Sequence, residues 1–109
     1  MNLAAVTLAS LSLASAASLA VAAPASDVDY LRASRCRGIA VGLGADPSAI
    51  NAYLKSALAG RSPAILDRAD EEFARAKRES RGDGKERLQA ELAGPCAAYA
   101  GPTRTSALR

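Results

Sequence analysis

The chain has 109 residues, with no His, no Trp, one Phe, three Tyr, one Met and two Cys, and 14 Lys and Arg against 11 Asp and Glu for a formal charge of +3. That length holds one small domain. Without His there is no imidazole base, no Ser-His-Asp or Cys-His pair and no Cys₂His₂ zinc site, and two thiols cannot close a four-thiolate site. Half of the residues are apolar, but much of that share is alanine, which buries little area per residue.

The first stretch carries no charge. Every Lys, Arg, Asp and Glu lies from Asp27 onward, and the run before it is Ala, Leu, Ser and Val ending in Ala20-Val21-Ala22-Ala23-Pro24-Ala25. Residues 1–25 therefore read as a signal peptide, with small residues placed for cleavage after Ala22, Ala23 or Ala25. Cleavage after Ala23 is disfavoured because Pro24 would follow the cut. A basic start is missing, and Thr7, Ser10, Ser12, Ser15 and Ser18 dilute the apolar run. A membrane anchor, which needs about 20 strongly apolar residues, and a disordered Ala/Ser tail are the competing readings. Ala33-Ser34-Arg35-Cys36 is not a lipobox. The expected destination is the periplasm or the outside. Arg outnumbers Lys and Ala is abundant, a bias of GC-rich bacterial genomes; a eukaryotic secretory route stays open.

The helical domain is expected over residues 26–101. Helix signals recur, and no run alternates apolar and polar residues as a strand does. A first helix begins at Ser26, with Ser26 and Asp29 in capping-box spacing. It runs to Gly42 or Gly44. Val28, Leu31, Ile39 and Leu43 roughly share a side, but Arg32 and Arg35 intrude. Their stems either snorkel over a small core or pair with acids on a neighbouring helix. Gly38, Gly42 and Gly44 are read as a soft helix end.

A second helix has Asp46 as N-cap and Pro47 at its first position. Ile50, Tyr53, Leu54, Ala57 and Leu58 follow helical spacing, and Gly60 ends it. A third starts from Ser62 and Pro63 and carries the stripe Ile65, Leu66, Ala69, Phe73 and Ala76. Its acids come first (Asp67, Asp70, Glu71, Glu72) and its bases last, an order that suits the helix dipole. Glu71–Arg75 and Arg75–Glu79 are spaced as ion pairs. A fourth starts at Asp83, with Glu86 completing a capping box. Leu88, Leu92, Cys96 and Tyr99 form one face across Gly94-Pro95, which either kinks the helix or splits it, with the second piece starting at Pro95. Residues 102–109 read as a flexible C-terminal tail. Short loops imply antiparallel neighbours.

Cys36 and Cys96, an even count in a short exported chain, read as one structural disulfide. Two free buried thiols, or a reactive Cys36 activated by Arg35 and Arg37, are the alternatives. Large apolar residues are few, and a staple offsets the thin core. The fold class is all-α, a small three- to four-helix bundle stapled by one disulfide after an N-terminal signal peptide.

Functional signals are sparse. Arg81-Gly82-Asp83 matches an integrin-binding tripeptide, but a glycine ending one helix and an aspartate capping the next give the same letters. Gly42-Leu43-Gly44 lacks the strand and lysine of a nucleotide loop. Asp67, Asp70, Glu71 and Glu72 read as a dipole complement and not as a cation site. The basic residues Arg75, Lys77, Arg78, Arg81, Lys85 and Arg87 concentrate around the third-to-fourth helix turn. With Arg104 and Arg109 they form a candidate surface for an anionic partner such as lipid headgroups, polysaccharide or an acidic protein, set against a plain solvated face. Aromatics for base stacking are scarce, so no nucleic-acid role is expected. No catalytic, cofactor-binding or metal residues are assigned, and no stable membrane span is expected after signal cleavage.

In size, leader and cysteine count the chain is similar to small exported all-helical bacterial proteins with one disulfide, periplasmic acid-stress chaperones and immunity proteins against secreted toxins among them. No motif carries the likeness, and it transfers no residue role. The expected role is a non-catalytic one: binding another protein or a cell-envelope component. A periplasmic stress chaperone and an inhibitor or immunity protein against a secreted enzyme are the alternatives.

Overall fold

A computed structural model describes residues 24–100. The expected signal peptide and its cleavage after Ala22 or Ala23, and the tail at 102–109, lie outside the described residues. The described chain is helical: α1 (Asp27–Leu43), α2 (Ser48–Ala57), α3 (Pro63–Glu79), α4 (Lys85–Ala93) and α5 (Ala97–Ala100). There are thus five helices where three or four were expected. Gly94 closes α4 and its N–H donates to the Ala90 carbonyl, and the chain resumes as the short α5. Proline at 95 cannot continue the α4 ladder, so the expected last helix is split and not merely kinked. The second piece begins at Ala97, two residues beyond the expected Pro95.

Local chemistry accounts for most helix ends. At α1 the Ser26 hydroxyl accepts from the Asp29 N–H at 3.1 Å, and the Asp29 carboxylate accepts from the Ser26 N–H at 3.2 Å, a complete capping box. Gly44 stops α1 in the left-handed conformation at φ 75°, where a side chain would be strained. Before α2 the Asp46 carboxylate accepts from the Ser48 N–H at 2.9 Å. Asp46 thus supplies the expected capping bond, although regular helix begins one residue later than expected, after Pro47. Gly60 takes positive φ in the turn that follows α2, two residues beyond Leu58. At α3 the Ser62 hydroxyl accepts from the Ile65 N–H, with Pro63 at the first position.

The expected Asp83–Glu86 capping box is absent. Helical turns continue past α3, with the Arg81 N–H donating to Arg78 and the Gly82 N–H to Glu79, so Gly84 and not Asp83 precedes α4. The first turn of α3 likewise holds no acid, because the helix starts a full turn before Asp67. The expected dipole complement is therefore confined to the bases of its last turn, Lys77 and Arg78.

α1 is the central element, packed against α2, α3 and α4. That explains its blurred amphipathic pattern, since it is covered from several sides. Ile39, Ile50, Leu88 and Cys96 are fully buried, and Ala33, Cys36, Ala40, Ala76 and Tyr99 complete the main core. A second cluster of Tyr30, Ala57 and Ala69 closes the other end. Val28 and Leu58, expected on core faces, are instead 53% and 48% exposed.

Gly38 and Gly42 are packing residues and not a soft end. A Cβ on Gly38 would press into the Phe73 carbonyl and stand 2.9 Å from the Ala76 Cβ; one on Gly42 would meet Ser80, 2.7 Å from its Cβ. The two bare positions let the backbones of α1 and α3 close together. The register runs Tyr30 with Ala69, Gly38 with Ala76 and Gly42 with Ser80, so α1 and α3 are parallel. The first four helices alternate in direction, as the short loops require, and α5 carries on toward the start of α1, where Tyr99 meets Asp29. The Cys36–Cys96 bond joins α1 to the turn before α5, with Cα atoms 5.6 Å apart.

Candidate functional site

The Arg35 guanidinium organises the region around the disulfide. Its Nε donates to Glu91 Oε1 at 2.8 Å and its Nη2 to Glu91 Oε2 at 3.0 Å and Glu79 Oε2 at 3.1 Å, linking α1 to both α4 and α3. Of the two fates expected for the arginine stems, pairing with acids on neighbouring helices is the one observed for Arg35. Bonding to Arg35 holds the Glu79 carboxyl below the usual carboxylate range. Arg37 lies over the Phe73 ring at 4.3 Å from its centroid. Neither arginine is left to activate a thiol, and both cysteines are bonded to each other.

This pairing alters the charge pattern expected for α3. Arg75 reaches Glu72 at 3.2 Å, so the pairs Glu71–Arg75 and Arg75–Glu79 do not form. Glu79 instead faces Arg35, with Arg87 4.0 Å from the same Oε2. Of the six expected basic site residues, Arg75 and Arg87 are therefore held near internal acids. Lys77 is half-buried, its ammonium 6.0 Å from the Phe73 centroid. Arg78, Arg81 and Lys85 are exposed and form no ion pair among the described residues.

Arg78 follows from helix geometry. The core side of α3 is Ala69, Phe73, Ala76 and Ser80, and at about 3.6 residues per turn Arg78 falls opposite it. Arg81 sits in the turn that continues α3, and Lys85 opens α4. Arg78, Arg81 and Lys85 thus share the α3–α4 end of the molecule, whereas Lys55 and Arg68, also exposed and without an ion pair among the described residues, stand apart on α2 and in the first half of α3. Asp83 and Glu86 are the exposed acids of the same segment.

The tripeptide Arg81-Gly82-Asp83 is exposed in this turn. The expected folding explanation does not hold, because Gly82 lacks positive φ and Asp83 caps no helix. Asp67, Asp70 and Glu71 are exposed, and no group of three or more potential metal-ligating side chains occurs among the described residues. No helix of the described residues is long and apolar enough to cross a membrane.

At the opposite end, a shallow groove of about 300 Å³ runs between α2 and α5, lined by Ala49, Ala52, Tyr53, Ser56, Ala98, Tyr99 and Ala100. Tyr53 and Tyr99 meet edge to face at 5.0 Å, and the Tyr99 hydroxyl donates to Asp29 at 3.3 Å. Burial, together with the nearby Asp29 charge, pushes both phenols upward. This aromatic pair is not apparent from sequence, since its members are 46 residues apart and belong to different predicted helices.

The chain matches no protein-family model, no curated protein and no solved structure.

Proposed function

We propose that this chain is an exported, non-catalytic binding protein that works in the periplasm or outside the cell, and that its α3–α4 end docks on an anionic protein or cell-envelope component. The observation that carries this reading is the charge left over at that end. Glu79, the acid of α3's last turn, is taken up by Arg35 from α1 and flanked by Arg87, whereas Arg78, Arg81 and Lys85 have no ion-pair partner among the described residues. Cations without internal partners keep their capacity to attract an opposite charge from outside. The uncharged head at residues 1–26 and the paired cysteines support export. The absence of His from the sequence supports a role in binding over one in acid–base chemistry.

The test is site-specific photocrosslinking in the native cell envelope, with the probe at position 81 and, as a control, at position 55 on the last turn of α2. The expected result is a discrete adduct from position 81 on a trimmed, oxidised protein and none from position 55. An untrimmed, reduced chain in the cytosol overturns the reading, as does equal crosslinking from both positions.

A further inference from the structure

We infer that the cationic end formed by Arg78, Arg81 and Lys85 seats on a phosphate-bearing lipid surface. The inference rests on the docking role proposed above and names the class of partner.

Three observations separate a lipid surface from the other anionic partners. First, the end is purely polar. The exposed large hydrophobic residues among the described ones are Val28 and Leu58, neither of which lies between positions 75 and 87. A protein interface draws most of its affinity from buried aromatic, aliphatic and arginine anchors seated in pockets. The groove that has an apolar lining and aromatic walls is at the other end, between α2 and α5. Headgroup phosphates demand no apolar anchor; guanidinium groups and ammonium groups on long stems suffice.

Second, no aromatic face is presented beside these cations. Tyr30 and Tyr99 are buried in the clusters around α1, the half-buried Tyr53 packs on Tyr99 in the α2–α5 groove, and Phe73 is already covered by Arg37 at 4.3 Å. Single-stranded nucleic acid is held by stacking on such faces as well as by charge.

Third, α3 is electrically polarised along its length. Asp67, Asp70 and Glu71 outnumber the lone Arg68 among the exposed charges of its first half, and Arg75 and Arg78, with Arg81 just beyond, are exposed on its last. A negatively charged plane attracts one end and repels the other. The field therefore orients the molecule end-on, with the α3–α4 turn toward the plane. Asp83 and Glu86 oppose the attraction locally, so the bound state is expected to be weak, reversible and salt-sensitive.

The experiment uses the trimmed, disulfide-bonded protein and sedimentation with vesicles of phosphatidylcholine alone or mixed with phosphatidylglycerol. Binding is expected only with phosphatidylglycerol, falling steeply as salt is raised. The variant R78Q/R81Q should lose about thirtyfold in partition coefficient, at about fivefold per cation near a charged surface. The variant K55Q/R68Q removes the same charge from exposed sites elsewhere and should lose far less. All four positions are exposed, and unchanged far-UV circular dichroism confirms the fold of each variant. Equal losses in the two variants overturn the inference, because net charge and not this end is then responsible. Tighter binding to a DNA or RNA oligonucleotide than to the vesicles also overturns it. Absence of vesicle binding together with a protein adduct from position 81 sinks the lipid assignment and leaves the docking role standing. Absence of both removes the two together.

Discussion

Gly38 of α1 lies against Phe73 of α3 so closely that a methyl group on Gly38 would press into the Phe73 carbonyl and crowd Ala76. The contact sets the separation of the two longest helices and, through it, where α3 delivers its last turn. Replacing Gly38 by Ala is expected to cost about 1–3 kcal/mol, because the strain of overpacking outweighs the gain in helix propensity. Gly82→Ala, where an added Cβ meets nothing nearer than 3.7 Å, should be neutral within about 0.5 kcal/mol. Urea unfolding of the two variants distinguishes them.

Arg35 carries the polar link between three helices. Arg35→Met keeps the stem and removes the guanidinium, leaving Glu91 without its partner and Glu79 with only Arg87 at 4.0 Å. A loss of about 1–2 kcal/mol is expected, since the pair is partly screened by solvent but its hydrogen bonds are charge-assisted. Arg75→Met, which breaks only the exposed pair with Glu72, should cost under about 0.5 kcal/mol. A double-mutant cycle of Arg35→Met with Glu91→Gln should show coupling between the two positions.

Stability should be flat across the neutral range, because the sequence holds no His. The Arg35 hydrogen bond lowers Glu79, and bonds from the Ser26 hydroxyl and backbone lower Asp29. A carboxyl with a lowered folded-state pKa contributes stability above its unfolded value, and this is lost as pH falls through the folded one. The acid limb of the stability curve is therefore expected below about pH 4. Tyr53 and Tyr99 are shifted upward by burial, so their contribution is present below about pH 10 and disappears as pH rises through their folded values. Thermal midpoints measured across pH check both limbs, and Glu79→Gln should blunt the acid one.

Reducing the Cys36–Cys96 bond opens a link of sequence separation 60. The chain-entropy relation puts the loss at about 4 kcal/mol. The short α5 has few other ties to α1, so its Tyr53–Tyr99 contact should be lost early. Tyrosine fluorescence and near-UV circular dichroism with and without reductant are the measurements to compare.

Where a signal is local, the sequence was legible. Ser26–Asp29, Ser62-Pro63 and Gly94-Pro95 each act on backbone within four residues, and each ended or began a helix near its expected place. The cysteine pair was readable because two cysteines leave a single internal pairing. One local signal failed, the Asp83–Glu86 capping box, because helical turns run on past α3 and leave Gly84 before α4; the other failures lie where a residue answers to a distant helix. Glu79 has an arginine four residues before it, yet it bonds Arg35, 44 residues away. Which of the six basic residues stay free depends on that choice. Gly38 and Gly42 looked like helix breakers until α3 placed Ala76 and Ser80 against them; their four-residue spacing, with Ala76 and Ser80 equally spaced, was the available clue. Val28 lies between Ala25 and Leu31, which pack against the second cluster, yet its own side of α1 stays half open, so its periodicity promised burial that it does not receive.

The Tyr99–Asp29 hydrogen bond places the two limits of the described chain side by side, whereas the turn joining α3 to α4 belongs to the far pole with the last residues of α1. Tethering the protein to a bead or sensor chip through position 24, exposed at that limit, would leave the Arg81 pole pointing into solution. Immobilisation chemistry directed at that position is accordingly the one that preserves the surface to be assayed.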